Sequence, residues 1–404
     1  MFDDGGTVVK ILFVTLWPLS ANTSASLRNR ALIQGLEELG CEVDVITVSA
    51  NEKNPFNDAN LAGDIPEHWR IVGQRTNNYQ RIVSSGSGIV GNIKKLALPI
   101  MRKLYHWFQL FDHSQLYIKQ ISLSDLPKQH YNLVISSSDP KTSHLAVARW
   151  MQLGLRADCW IQYWGDPLAH DITQKHILPF FYVKSVEQKI LQRASSIVYV
   201  SPFTLEAQQQ VFPSLATRMT WLPIPYQKVK RYDEITVLPE TGGQQRLKLG
   251  YFGDYKSSVR NIMPLLEVCR ANPHKYELYV AGNTDLALTE AENVHVFPRI
   301  SQSEMEALEA ECDLLVCLLN KSGTQIPGKV YHYAATNKPV LVLLDGEYVK
   351  QMDDYFRSFD RYVCCLNQNT AIEETLSSLR LRDLPSEPSP HFAPTTIAAQ
   401  FLKL

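Results

Sequence analysis

The sequence predicts an α/β protein made of two doubly wound domains, each a parallel sheet with helices on both faces. Apolar runs of strand length recur along the chain: VVKILFVTL from Val8, VDVITV from Val43, LKLGYF from Leu247, LLVCLL from Leu314 and VLVLL from Val340. Continuous rather than alternating apolarity is what a strand buried on both faces requires. Segments of helical periodicity separate the runs, and strand, helix and strand in close succession imply a parallel crossover. The rhythm breaks between Pro223 and Arg246, at PIPYQKVKRYDE followed by a Pro and a Gly-Gly pair. That break divides 404 residues into two parts, each able to bury its own core.

In the first half, Leu32, Leu36 and Leu39 recur at helical spacing until Gly40 stops the helix. The preceding loop, WPLSANTSASLRNR, lacks the GxGxxG of dinucleotide folds and places Arg28 and Arg30 in the first helical turns, which argues against a nicotinamide cofactor. Ile93 to Ile118 combines Lys94, Lys95, Arg102 and Lys103 with Leu96, Leu104, Trp107 and Phe108. Such a helix either lies on an anionic membrane surface or covers the domain with a solvated positive face. The strand YNLVISSSDP from Tyr131 ends in a Ser-rich turn, and a helix begins near Thr142. A strand around Trp160 to Tyr163 then delivers Trp164, Gly165, Asp166 and Pro167 at its carboxyl end. Asp166 either faces a ligand crevice there or caps the turn before Pro167. SVEQKILQRA, SIVYVS and TLEAQQQVF complete the domain as helix, strand and helix.

In the second half, strands are expected at Tyr276 to Ala281 and Val294 to Phe297. Asp313 to Leu344 reads as a βαβ unit, DLLVCLLNKSGTQIPGKVYHYAATNKPVLVLL. A Ser-Gly-Thr loop leads into a helix of about a dozen residues headed by Lys329. At the carboxyl end of a parallel strand this is where a phosphate-bearing ligand is expected. The final segment TTIAAQFLKL is helical and is expected to close back over the first domain. The expected boundaries are 1–223, a linker at 224–246, a second domain at 247–385 and the terminal helix in 386–404.

Apolar content of 45%, charged content of 20% and a net charge of -1 give no global basic excess, which disfavours a nucleic-acid partner. The seven cysteines are scattered without a CxxC pair, as expected of reduced thiols. Asp3 and Asp4 stand where a signal peptide needs basic residues, and no apolar run reaches about 18 residues. The expected location is cytoplasmic, free or at the inner face of the membrane.

These motifs resemble the GT-B glycosyltransferases, two Rossmann-like domains flanking a cleft, and most closely glycosyltransferase family 4. WPLSANTSASLRNRALIQGLEELGCEVDVIT is similar to the family's small-residue loop, helix arginine and closing G-H-E-V strand, with Cys41 in the histidine's place. SSSDPKTSHLAVARW with WIQYWGDPLA resembles its acceptor-side loops, and VEQKILQRASSIVYVS resembles the helix and strand ending its first domain. LGYFGDYKSSVRN is similar to the loop that supplies basic residues to the donor diphosphate. NVHVFPRISQSEMEALEAECDLLVCLL looks like the base-binding strand, turn and helix, and IPGKVYHYAATNKPVLVLL resembles the donor segment P-x-K-x-x-E-Y-x-A-x-G-K-P-V. Two positions differ. The family's paired glutamates are Thr324 and His332 here, which leaves the ribose contact to His332, a side chain titrating near neutrality. Asp254 follows Gly253 where many relatives have arginine, so Arg260, or else Lys256, is the nearest basic candidate.

The resemblance implies transfer of a sugar from a nucleotide-diphosphate sugar to a hydroxyl of a glycan or lipid-linked acceptor, in surface polysaccharide or glycolipid assembly. Arg260 and Lys329 would stabilise the leaving diphosphate, with the amides of Gly323, Thr324 and Gly328 as a cradle. The base would lie against Pro298, Arg299 and Ile300, unless Arg299 is only a surface residue. Arg28 either reaches the donor phosphates or pairs locally. Asp166 is the candidate to orient or deprotonate the acceptor, and His144 and His170 read as structural. Retention would let the leaving phosphate take the acceptor's proton, whereas inversion would make Asp166 the base. No DxD is present, and Asp353-Asp354 reads as a surface pair, so neither a metal nor a cofactor beyond the donor is expected. The alternatives are a nucleotide-sugar epimerase of the same architecture and a non-catalytic nucleotide-binding relative.

Overall fold

The computed structural model describes residues 8–50, 56–74, 107, 109–112, 114–170, 177–232 and 246–404. The chain divides into two compact units, Met1–Leu222 with Ala398–Leu404, and Pro223–Ile397.

The first unit holds seven strands: β1 (Lys10–Val14), β2 (Glu42–Ser49), β3 (Arg70–Gln74), β4 (His130–Ser137), β5 (Arg156–Trp164), β6 (Ser196–Tyr199) and β7 (Met219–Trp221). All pair in parallel, in the order β3-β2-β1-β4-β5-β6-β7. After Lys10, β1 is buried along its whole length, as its unbroken apolar run demands. The helix Ser24–Glu38 starts where the Thr23 hydroxyl accepts the Ser26 N–H and stops at Gly40, whose φ of 82° is open to glycine at little cost.

The second unit holds β8 (Leu247–Phe252), β9 (Tyr276–Ala281), β10 (Val294–Phe297), β11 (Leu314–Leu318), β12 (Val340–Leu344) and β13 (Val363–Leu366), in the parallel order β10-β9-β8-β11-β12-β13. Every residue of β11 and β12 is buried. In both sheets the order reverses once, between β1 and β4 and between β8 and β11, and each reversal opens a crevice at the strand carboxyl ends.

Several expectations change. β3, β7 and β13 were not legible because each lies at or near a sheet edge, is short, and leaves residues such as Ile71 exposed. The helix Phe180–Leu191 begins at Pro179, ahead of the expected Ser185. Of the expected linker, 233–245 lies outside the described residues, and the part before it is fastened to the second unit. Lys230 N–H donates to Ala335 O at 3.0 Å, and Tyr232 and Asn337 exchange two hydrogen bonds of 2.8 Å. The terminal helix Pro394–Phe401 is divided, with Ala398 onward grouped in the first unit, where the Phe401 ring meets Tyr163 edge-on at 5.0 Å. Most of the basic segment from Ile93 lies outside the described residues.

The helix headed by Lys329 is Lys329–Tyr333, five residues rather than a dozen. The Thr336 hydroxyl donates to Tyr333 O at 2.8 Å, and the buried Arg361 guanidinium donates to Tyr333 O, Thr336 O, Lys338 O and Pro385 O at 2.7 to 3.1 Å. Tyr333 O, the last carbonyl of the helix, is consumed there, and Pro339 follows. Arg361→Met removes the guanidinium from the carbonyls of the buried residues Thr336 and Lys338 and should lower the stability of the second unit by about 3 kcal/mol or more. The expected readout is a fall of roughly 6 °C or more in its melting transition by calorimetry.

Candidate functional site

In the second unit the loops at the carboxyl ends of β8, β9 and β11 converge on the sheet reversal. Gly282, at φ 154°, packs so closely that a Cβ there would lie 2.1 Å from Gly253 O. Arg260 spans the crevice: Nη1 donates to Asp254 O at 2.8 Å and Nε to Asn320 Oδ1 at 3.0 Å. Asn320 follows β11 and is itself fixed by donating from Nδ2 to Gln325 O at 3.1 Å. Lys256 is exposed, and its carbonyl accepts the N–H groups of Val259 and Arg260, so the turn it starts delivers Arg260 instead. Asp254 holds a second cation, with its carboxylate 3.4 Å from Arg299 Nη1 while also accepting the Asn283 N–H at 2.9 Å.

Lys329 stands partly exposed at the head of its short helix, beside the Gly253 loop. Its Nζ lies 2.8 Å from Met305 Sδ, 3.9 Å from Glu309 Oε1 and 5.5 Å from the Tyr333 ring centre. Burial lowers its pKa, Glu309 opposes that shift, and Lys230 and Arg299 add to it. Glu309, only 2% exposed, also accepts from Tyr232 Oη at 2.7 Å and Lys230 Nζ at 3.4 Å. Gly323, with φ 84°, and Thr324, Gly328 and Ile300 are each partly exposed on the surrounding loops.

His332 follows Lys329 by three residues and so shares its helical face. Its Nε2 is buried without a hydrogen-bond partner among the described residues. Burial, then Lys329 and Lys230, push its pKa down to about 3. The expectation that it titrates near neutrality is therefore corrected: the ring is neutral, and protonating it would put a third cation beside two lysines.

In the first unit Arg28 packs against residues of its own unit. It is 3% exposed and donates to Ser138 O and to Ser137 Oγ, with its guanidinium 4.5 Å from the centre of the Tyr163 ring. A Cβ at Gly165 would lie 2.7 Å from Arg28 Nη1, so the arginine supports the loop that carries Asp166. Asp166 is partly exposed beyond the end of β5. Glu187 fixes the far side of that loop by accepting the N–H groups of Leu168 and Ala169, each at 2.9 Å. His144 is fully buried, bonded through Nδ1 to Ser136 Oγ at 2.8 Å, with its ring centre 4.4 Å from that of Trp164 at a tilt of 30°. His170 is exposed and lies 5.1 Å from the Phe180 ring. Asp353 pairs with Arg357 along one helix at 2.8 Å.

Solved structures share this fold over nearly the whole chain. The sucrose-phosphate synthase of Thermosynechococcus elongatus superposes with a TM-score of 0.57 at 13% identity, covering 98% of this chain and 98% of that one. Anabaena HepE in complex with UDP-glucose gives 0.52 at 12% identity, covering 97% and 95%. A protein from Listeria monocytogenes named as a UDP-N-acetylglucosamine 2-epimerase gives 0.50 at 10% identity, covering 98% and 95%. The chain has the GT-B fold. No protein-family model and no curated protein matches its sequence.

Within its GT-B second unit the chain brings Gly253, Arg260, Arg299 and Lys329 together around one crevice, and places Arg28 with the Asp166 loop in the first. Sequence reasoning missed Asn320, Glu309 and Glu187. Asn320 carried a signal, a polar residue directly after a fully apolar strand. Glu309 and Glu187 did not, since each sits on a helix where a carboxylate ordinarily faces water. His332 yields a pH test. The unfolded chain binds a proton below the ordinary histidine value of 6.5, while the folded one resists it down to about 3. Stability is therefore lost as pH falls through that window. His332→Gln should flatten the decline between pH 6 and pH 4 by up to about 1.4 kcal/mol per pH unit, measured by urea unfolding of the second unit.

Proposed function

We propose that the chain is a glycosyltransferase that moves a sugar from a nucleotide-diphosphate sugar to a hydroxyl of a glycan or lipid-linked acceptor, in surface polysaccharide or glycolipid assembly. The observation that carries this reading is the cation set at the β8/β11 reversal, Arg260 locked between Asp254 O and Asn320 with Lys329 at the head of the next helix. Breaking the anomeric C–O bond leaves negative charge on a diphosphate. Two cations held in place beforehand meet that charge without reorganising. Arg299 and Ile300 line the side where the base would lie, and neutral His332 offers the ribose one donor or one acceptor according to its tautomer. HepE, which shares the fold, is in complex with UDP-glucose, so a uridine nucleotide is the first donor to try.

The reading is retaining and draws on no metal, since the fixed cations take the leaving charge and the leaving phosphate takes the acceptor's proton on the same face. Asp166, held between Arg28 and Glu187, then orients the acceptor hydroxyl. An acceptor on a lipid carrier would place the enzyme at the inner face of the membrane.

An epimerase is the second reading, supported by the likeness in fold to the Listeria protein. An epimerase would convert a nucleotide sugar with no acceptor present, whereas a transferase releases nucleoside diphosphate as acceptor is glycosylated. Incubation with a panel of radiolabelled nucleotide sugars, with and without lipid and glycan acceptors, separates the two. Failure of every nucleotide sugar to bind or turn over would contradict both. Arg260→Ala and Lys329→Ala should each weaken nucleoside diphosphate binding by about 1.5–3 kcal/mol, roughly ten- to a hundredfold in Kd by calorimetric titration. Unchanged affinity in both would remove them from the site.

A further inference from the structure

The helix Phe180–Leu191 is anchored to the first unit by Val183, Glu187, Ile190 and Leu191, all buried. Its first turn does the opposite. Phe180, Phe181 and Tyr182 are 50%, 75% and 49% exposed, and Ile177, just before Pro179, is 54% exposed. A single exposed apolar residue needs no explanation, but four large ones within six residues make a patch that water disfavours. Successive helical residues point about 100° apart. The three aromatics therefore splay around the helix start and form a projecting knob rather than a flat stripe.

The charges of the helix itself divide by burial. The only carboxylate of the helix, Glu187, is buried and occupied by the Leu168 and Ala169 N–H groups, which leaves Lys184, partly exposed with Nζ 5.8 Å from the Phe212 ring centre, and the exposed Lys189. Ile177 N–H also donates to Trp107 O at 3.0 Å. Aromatic side chains flanked by lysines suit the layer between lipid head groups and acyl chains, where the rings are buried and the ammonium groups meet phosphates. A second copy of this chain fits less well, because a stable protein contact needs about 800 Å² per partner and a convex knob offers less.

We propose that Ile177–Tyr182 is a membrane-docking element that inserts into the interfacial layer of an anionic bilayer, with Lys184 and Lys189 against its phosphates. This goes beyond the transferase reading and holds whatever the donor. The test is co-sedimentation of the full chain with phosphatidylcholine vesicles, with and without roughly 30% phosphatidylglycerol. The wild type should partition onto the anionic vesicles and far less onto the neutral ones. Phe180→Ser/Phe181→Ser should reduce that partition at least tenfold while keeping the wild-type circular dichroism and melting temperature. If the double variant misfolds, Lys184→Gln/Lys189→Gln should reduce it at least threefold. Wild type that ignores anionic vesicles, or binds neutral ones equally, overturns the proposal. So does a folded double variant that binds as wild type does, or one that only loses self-association in light scattering while still binding vesicles.

Discussion

The donation of one buried guanidinium to four carbonyls fastens the end of the short helix that carries Lys329 to the chain that follows it. A helix as short as Lys329–Tyr333 cannot hold itself, because its nucleation is unfavourable and too few residues follow to repay it. Arg361 supplies the missing constraint by collecting Tyr333 O, Thr336 O, Lys338 O and Pro385 O. Arg361 thus ties the end of the helix that carries Lys329 and His332 to the segment that follows it, while the Tyr362 hydroxyl donates to Val330 O within the helix at 3.1 Å.

Charge placement follows the same logic. Asp254 uses its carbonyl to hold Arg260 and its carboxylate to hold Arg299, so one acidic residue arranges two cations. Glu309, buried among Lys230, Tyr232 and Lys329, opposes the downward pKa shift that burial imposes on the Lys329 ammonium. Removing water from these groups has a cost that their hydrogen bonds largely offset.

The fold was legible where the physics is local and strong. Strands buried on both faces, such as β11 and β12, must be continuously apolar, and their positions were read to within a residue. Edge strands β3, β7 and β13 escaped because half exposure and short length leave no such signature. At the site, Arg260 and Lys329 were visible as cations at strand carboxyl ends. The fate of Arg28 was not, because nothing local tells whether an arginine in a first helical turn faces outward or, as here, packs under a neighbouring loop at Gly165. The protonation of His332 was misjudged for the same reason, since its neutrality comes from burial and from lysines that tertiary structure brings to it.

The account's central claim is that the β8/β11 crevice of the second unit is a diphosphate site. A crystal structure of the wild-type protein with bound UDP tests it most directly. The diphosphate is predicted to lie within hydrogen-bonding distance of both Lys329 Nζ and the Arg260 guanidinium. Nucleotide density elsewhere on the molecule, with both cations untouched, would contradict it.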